Sequence, residues 1–435
     1  MKVAIVHDYL KEFGGAERVL EALCEIFPSA SVYTAFYQRE STAYRRFKGK
    51  KIITSWAQNV PFFASYLHSP LRFLAPLIWG GGFSAKGRPS FGWDFSGYDV
   101  VISSSSWYVT KGFGKGNRDI GKSGSRQVAR TIPDNLRTRK PDRPIEICYC
   151  HTPPRYLYGY STSFDWQKYW PVKVYALLVN HFMRVYDYEA AQRVDYFIAN
   201  SKEVQTRIKK FYRRDSTVIY PPVALSAFSE SKRIASIRTK SLNPNLLDAN
   251  SYFLVVSRLV ASKKVDIVVE VCSKLKLPLK VVGAGRELQA LKELAEQLTI
   301  NNSQVTVEFM GEVTDEELVG LYQNCKAVIF PAQEEDFGLV PVEAMAAGKP
   351  VIANAQGGVL ETVIDAIPAG KGKGTGVYFD PPTAGSLTLA INNFIDLEKK
   401  GYFDSNSIKN HAEKFSKDRF KREILKFVKS KTPKK

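Results

Sequence analysis

Short β-branched runs alternate with amphipathic helical patterns along this chain, and the alternation runs twice. Strands separated by helical crossovers pair in parallel, and a parallel sheet needs helices on both faces to bury it. The pattern predicts strands at 3–6, 99–103, 145–150, 196–200, 252–257, 279–282, 305–310, 327–331 and 351–353, with helices at 17–27 and 288–298 among those between them. The expected fold class is α/β, with two parallel-sheet units. The first set ends near Tyr220-Pro221-Pro222-Val223 and the second opens near Tyr252. The Ser-, Lys- and Asn-rich stretch between them reads as a connection. We therefore expect a first domain over 1–223, a connection over 224–250, a second domain over 251–412 and a closing segment over 413–435. A length of 435 residues suits two or three domains with ample cores.

Composition excludes several classes. Five scattered cysteines, at 24, 148, 150, 272 and 325, give no disulfide framework and no CxxC zinc pair, which points to a reducing compartment. Cys148 and Cys150 read as small apolar filler on a buried strand. The opening MKVAIVHDYL reads as a first strand rather than a signal peptide. Residues 52–71 lack Asp, Glu, Lys and Arg, but Gln58, Asn59, His68, Pro61 and Pro70 make them too polar and too broken to span a bilayer. The 62 basic and 43 acidic residues give a net charge of +19, a field that attracts polyanions. Ten Lys/Arg against three Asp fall within 111–143, whose glycines predict a mobile basic insertion. No helix-turn-helix, RRM or zinc-finger pattern accompanies the charge, and the basic segment lacks interleaved aromatics for base stacking. A nucleic-acid-binding protein is thus the weaker alternative.

Chemistry concentrates where strands are expected to end. At 328–345 a buried strand runs into an acidic loop and then a helix with Pro341 in its first turn, closed by Gly348-Lys349-Pro350. Glu335 would sit in the crevice at the carboxyl ends of the strands and Glu343 just behind it, with the N–H groups of Gly338, Leu339 and Val340 leaving the helix N-terminus. Taken alone these carboxylates read first as an acidic cap; beside an anion site they would suit sugar or ribose hydroxyls. Arg258 follows a strand and Lys263 opens the next helical segment, one a fork and one a point charge for a diphosphate. Gly14-Gly15 and Gly283-Ala284-Gly285 are glycine-rich strand-to-helix turns, neither of them GxGxxG. His151, in Cys150-His151-Thr152-Pro153-Pro154, is held by a rigid turn after a strand.

In this order and spacing, HDYL…FGGAERV, CHTPPRYLY, FIANSKEV…IYPPV, SRLV…KKVD, VGAGRE, FMGEV, EDFGLVPVE and AMAAGKPVIA resemble glycosyltransferase family 4, bacterial branch, over most of the chain. The resemblance implies a GT-B architecture: two Rossmann-like domains facing across a cleft, and a C-terminal helix crossing back to the first domain. It implies a retaining transferase that moves a hexose from a nucleoside-diphosphate sugar to a lipid-linked or saccharide acceptor in cell-surface polysaccharide or glycolipid synthesis. An epimerase or glycan synthase on the same fold is the nearest enzymatic alternative. By the resemblance, His151, Glu335, Arg258 and Lys263 form the catalytic group. Gly14, Gly15, Gly311, Val313, Phe337, Gly338, Leu339, Val340 and Glu343 bind the donor, Glu335 at the sugar and Glu343 at the ribose. No DxD motif occurs, and neither a metal nor a cofactor beyond the donor substrate is expected. The expected location is cytoplasmic, peripheral on the inner face of the cell membrane, with an anionic membrane surface as a partner and no nucleic acid. The basic insertion departs from the family, whose members join the strands at 103–106 and 148–150 by a short loop.

Overall fold

A computed structural model of the chain describes residues 1–79, 93–114, 144–162, 170–225, 228, 252–300 and 307–432. The first domain holds seven strands: β1 (Val3–His7), β2 (Ser31–Thr34), β3 (Ile52–Thr54), β4 (Val100–Ser105), β5 (Ile145–Cys150), β6 (Tyr196–Ala199) and β7 (Ser216–Val218). They form one parallel sheet in the order β3-β2-β1-β4-β5-β6-β7. The second domain holds β8 (Phe253–Val256), β9 (Leu279–Val282), β10 (Val307–Gly311), β11 (Ala327–Phe330), β12 (Val351–Asn354) and β13 (Gly376–Phe379). Its sheet is also parallel, ordered β10-β9-β8-β11-β12-β13. Each order reverses direction once, between β1 and β4 and between β8 and β11, and such reversals open the crevice in which open α/β sheets bind ligands. β1, β4, β11 and β12 are buried along their whole length, as central strands covered on both faces must be.

The α/β architecture with two Rossmann-like domains is as expected, and so is the returning helix. Lys417–Lys431 lays Phe420, Ile424 and Val428, spaced at i, i+4 and i+8, into the first domain's core beside the helix Gly15–Ile26. Lys417 and Lys421 add ion pairs to Glu25 of that helix. Where the chain leaves the first domain it lies next to where it returns: Val223 pairs with Ser416, and its N–H donates to Phe415 O at 3.0 Å.

Two expectations change, one on the strands and one on Lys111. The strands Ser31–Thr34, Ile52–Thr54, Ser216–Val218 and Gly376–Phe379 were not predicted, each being three or four residues long. The apolar stretch 52–71 is no span, as expected: it supplies β3 and then short turns, Trp56–Asn59 and Phe63–Leu67. Among the described residues no helix is long and apolar enough to cross a membrane. Lys111 does not belong to a mobile basic loop. It is buried and paired with Asp187 at 2.5 Å, because the 110–114 segment is tied down by Glu146, which accepts from the N–H groups of Gly112, Phe113 and Gly114. Residues 115–143 lie outside the described residues.

Candidate active site

The carboxyl ends of β1, β4 and β5 bring three side chains into line. His151 follows β5 and shares a hydrogen bond of 2.8 Å, through Nε2, with Ser104 Oγ. Ser104 lies 3.0 Å from His7 Nδ1, and His7 Nε2 lies 3.3 Å from Glu17 Oε1. Glu17 in turn accepts from the N–H of Gly14 at 2.9 Å, closing a capping box at the start of Gly15–Ile26. The glycine turn and His151 are therefore ends of one buried polar chain. Burial, reinforced by His7, pulls the His151 pKa down to about 4, so its ring is neutral at pH 7.

Across the cleft, Lys263 ends the short turn Ala261–Lys263 and ion-pairs with Glu335. Burial would push the Glu335 carboxyl upward, but Lys263, then Arg155 and Arg258, outweigh it and hold the group below its ordinary value. Glu335 is an ionised carboxylate. Arg258 is exposed beside it, on a loop that the glycine motif supports: a Cβ on Gly283 would lie 1.9 Å from Ser257 O, and one on Gly285 2.1 Å from Leu259 O. Gly338, with a φ of +87°, caps the helix Leu339–Ala346, and Pro341 sits in its first turn. Behind it Glu343 is buried and engaged twice, by Arg18 Nη1 at 2.5 Å from the first domain and by Tyr322 Oη at 2.8 Å. A cavity of about 140 Å³ adjoins this pair, lined also by Phe13 and Arg46.

The structure brings His151, Glu335, Arg258 and Lys263 to one cleft: Arg155, four residues after His151, donates to Glu334 O at 2.5 Å. Gly15 touches the other side as well, since a Cβ there would lie 2.9 Å from Leu339 Cδ1. Gly311 ends β10 at a φ of +67° with open space around it, and Val313 is partly buried against the core. Phe337 is different. Its ring is buried between Tyr220 and Phe415, 5.6 Å from each, so only its backbone can reach a ligand. Val340 and Leu339 also pack toward that core.

Sequence reasoning missed Arg18, Arg207 and Asp336, whose partners lie more than a hundred residues away. It also missed Gly357-Gly358. A Cβ on Gly357 would come within 2.3 Å of Glu335 O, and one on Gly358 within 2.4 Å of Asp336 O. The adjacent glycines after a strand were the available signal.

Residues 238–422 match the family described as glycosyl transferases group 1. Among curated relatives, the alpha-1,3/1,6-mannosyltransferase ALG2 of Dictyostelium discoideum is 27% identical over 58% of this chain and 61% of its own length. A D-inositol 3-phosphate glycosyltransferase of Mycolicibacterium smegmatis is 26% identical over 52% of this chain and 51% of its own. The chain thus spans about half to three fifths of these relatives. Among solved structures, Anabaena HepE in complex with UDP superposes with a TM-score of 0.65 at 18% identity, covering 99% of this chain and 100% of that one. WaaG, a glycosyltransferase involved in lipopolysaccharide biosynthesis, superposes at 0.61 and 14% identity over 98% and 99%.

Proposed function

We propose, from the two-sheet fold and the group 1 match over residues 238–422, retaining transfer of a hexose from a nucleoside-diphosphate sugar to a lipid-linked or saccharide acceptor. One observation carries the reading: an ionised Glu335 between Lys263 and Arg258 at the edge of one sheet, in the same cleft as a neutral His151 at the edge of the other. A donor diphosphate takes over Lys263 and Arg258, which frees Glu335 to accept from sugar hydroxyls, and the ribose replaces Arg18 on Glu343. The C1–O bond to phosphate breaks as the acceptor oxygen bonds C1 from the same face. The acceptor proton passes to the departing phosphate oxygen, and the cations stabilise the charge that develops there without calling on a metal. His151, uncharged, faces the transferred sugar. HepE is described in complex with UDP and with UDP-glucose, and ALG2 as a mannosyltransferase, which supports the donor class.

A thermal-shift series with UDP, GDP and ADP tests this. The cognate diphosphate at 100 times its Kd is expected to add about 2.7 kcal/mol of stability, and added chelator to leave transfer unchanged. Glu343→Gln is expected to weaken the free diphosphate, whereas Glu335→Gln lowers transfer and leaves that binding in place. Equal losses by calorimetry would contradict the division of roles.

We infer further that the protein works as a peripheral protein on the inner, anionic face of a membrane. The helix Trp170–Arg193 supports this, because Val174, Leu177, Phe182 and Val185 stand exposed along it, Leu177 at 71% and Phe182 at 73%. Phe62 and Tyr66 are exposed as well, in a segment joined to that helix by Tyr175 on Pro70 O and by Arg72 on Asn180. Lys173 is exposed next to Val174 on the same helix, and a cation beside exposed apolar groups suits an anionic headgroup layer. Leu177→Gln together with Phe182→Gln is expected to abolish flotation with anionic vesicles. Wild-type binding should weaken with salt, since attraction is screened beyond about 10 Å at 0.1 M. Undiminished flotation of the double variant would refute the assignment.

A further inference from the structure

Glu335 sits between two residues that the other domain holds almost completely. The carbonyl of Glu334 accepts from Arg155 Nη2 at 2.5 Å and from Arg207 Nη2 at 3.2 Å. The Glu334 carboxylate accepts from the N–H and the hydroxyl of Ser161, at 2.9 and 2.8 Å. On the other flank, the Asp336 carboxylate meets Arg207 Nη1 at 2.5 Å and Arg155 Nη2 at 2.9 Å, and its carbonyl accepts from Ser201 Oγ at 2.5 Å. All these donors belong to the first domain. Glu335, in the middle, meets Lys263 of its own domain instead.

The loop needs holding. Glu334 has a φ of +52°, a left-handed conformation that residues other than glycine seldom adopt. Arg207 is built to hold it: the side chain is 2% exposed, braced by Glu203 Oε1 at 3.0 Å and Thr152 Oγ1 at 3.2 Å, and lies over the Tyr160 ring at 4.2 Å. A guanidinium fixed in this way has one geometry to offer, and its fork matches a carboxylate and a carbonyl together.

We propose that Arg155 and Arg207 are positioning residues for the donor site: the first domain sets Glu335 by gripping the residues on either side of it, so the sugar-binding carboxylate reaches its working place only when the cleft is closed. The inference rests on the reading of Glu335 as the donor-sugar contact and adds to it that the donor domain alone does not complete its own site. Closure then couples acceptor-side docking to donor activation, and an open enzyme holds a nucleotide without being primed to release its sugar.

The test uses the full-length protein with Arg155→Ala, Arg207→Lys and Asp336→Asn, singly and as the Arg155/Asp336 pair. Asp336→Asn removes the cross-domain charge without disturbing the first domain's interior, so it remains informative if an Arg207 variant fails to fold. The expected result is a fall of about a hundredfold in kcat for Arg155→Ala or Asp336→Asn, as for a misplacement of about 1 Å. The Kd for nucleoside diphosphate should stay within about twofold, because Lys263, Arg258 and Glu343 still hold it. The paired variant should lose no more than either single one. A second readout does not depend on activity: the N–H of Gly358 donates to Glu335 O at 2.8 Å, and that of Gln333 to Ser262 O at 3.2 Å. Hydrogen exchange at these two amides should accelerate about tenfold in the variants, with the first domain unchanged. Unaltered exchange together with additive kinetic losses overturns the clamp. Absence of nucleotide binding and turnover in the wild type would instead overturn the functional reading, and the exchange data would still decide the clamp.

Discussion

Arg258→Ala and Lys263→Ala are each expected to cut turnover about a hundredfold at saturating donor, the scale seen when one preorganised partner of a developing anion is removed. A diphosphate carries its greatest charge as the C1–O bond breaks, so cations aimed at it act more strongly in the transition state than on the bound donor. Lys263 is already held at the site by its ion pair with Glu335. Its removal also strips Glu335 of the strongest of the cations that keep it ionised, so Lys263→Ala should lose more at low pH than at pH 8. Arg258 is exposed, and its replacement should leave the Tm unchanged. Near-wild-type rates in both variants would remove the phosphate assignment.

A second large effect is expected far from the cleft. Lys111→Met should destabilise the first domain by about 3–5 kcal/mol, the range for stranding one partner of a buried ion pair. Lys111 and Asp187 are 1% and 0% exposed, and Asp187 also accepts from Tyr158 Oη at 2.7 Å. Burial works against the charged ammonium, but Asp187 together with the neighbouring Cys148 and Cys150 outweighs it and raises the Lys111 pKa, so the ammonium stays charged in the native protein. Urea unfolding measures the loss, and Lys111→Met combined with Asp187→Leu should recover much of it. A change below about 1 kcal/mol would mean the pair behaves like a surface one.

The same pair shows where the sequence stops being readable. Lys111 stands at the head of a glycine-punctuated basic run, and nothing near it announces a carboxylate 76 residues away. Local signals carried further. The central strands were legible because burial on both faces makes them continuous apolar runs, as in Val3–His7 and Ala327–Phe330. The missed strands Ile52–Thr54, Ser216–Val218 and Gly376–Phe379 lie at sheet edges, where three or four residues suffice and one face needs no apolar side chain. Glu335, Lys263 and His151 could be found because each follows a strand within one short loop, and parallel sheets gather strand ends; Glu343 could be found because it lies in the first turns of the helix that follows Glu335. Arg18 on Glu343 and Arg207 on Asp336 are separated by 325 and 129 residues, and only the facing of the two sheets creates them. Phe337 was legible as part of a motif but not as a ring packed on Tyr220 and Phe415.

The side-by-side passage of the chain at Val223 and Ser416 has a mechanical consequence. Two bodies joined by one strand can twist and slide as well as part. Joined by two strands hydrogen-bonded to each other, they keep one easy motion, a swing about the line of the crossing. Beside the crossing, Tyr220, Phe337 and Phe415 pack as a triangle of tilted and edge-on rings that ties the two domains together there. A rotation about that line would part Arg18 from Glu343 and Arg155 from Asp336, the pairs that span the cleft, before it stretched the backbone at the crossing.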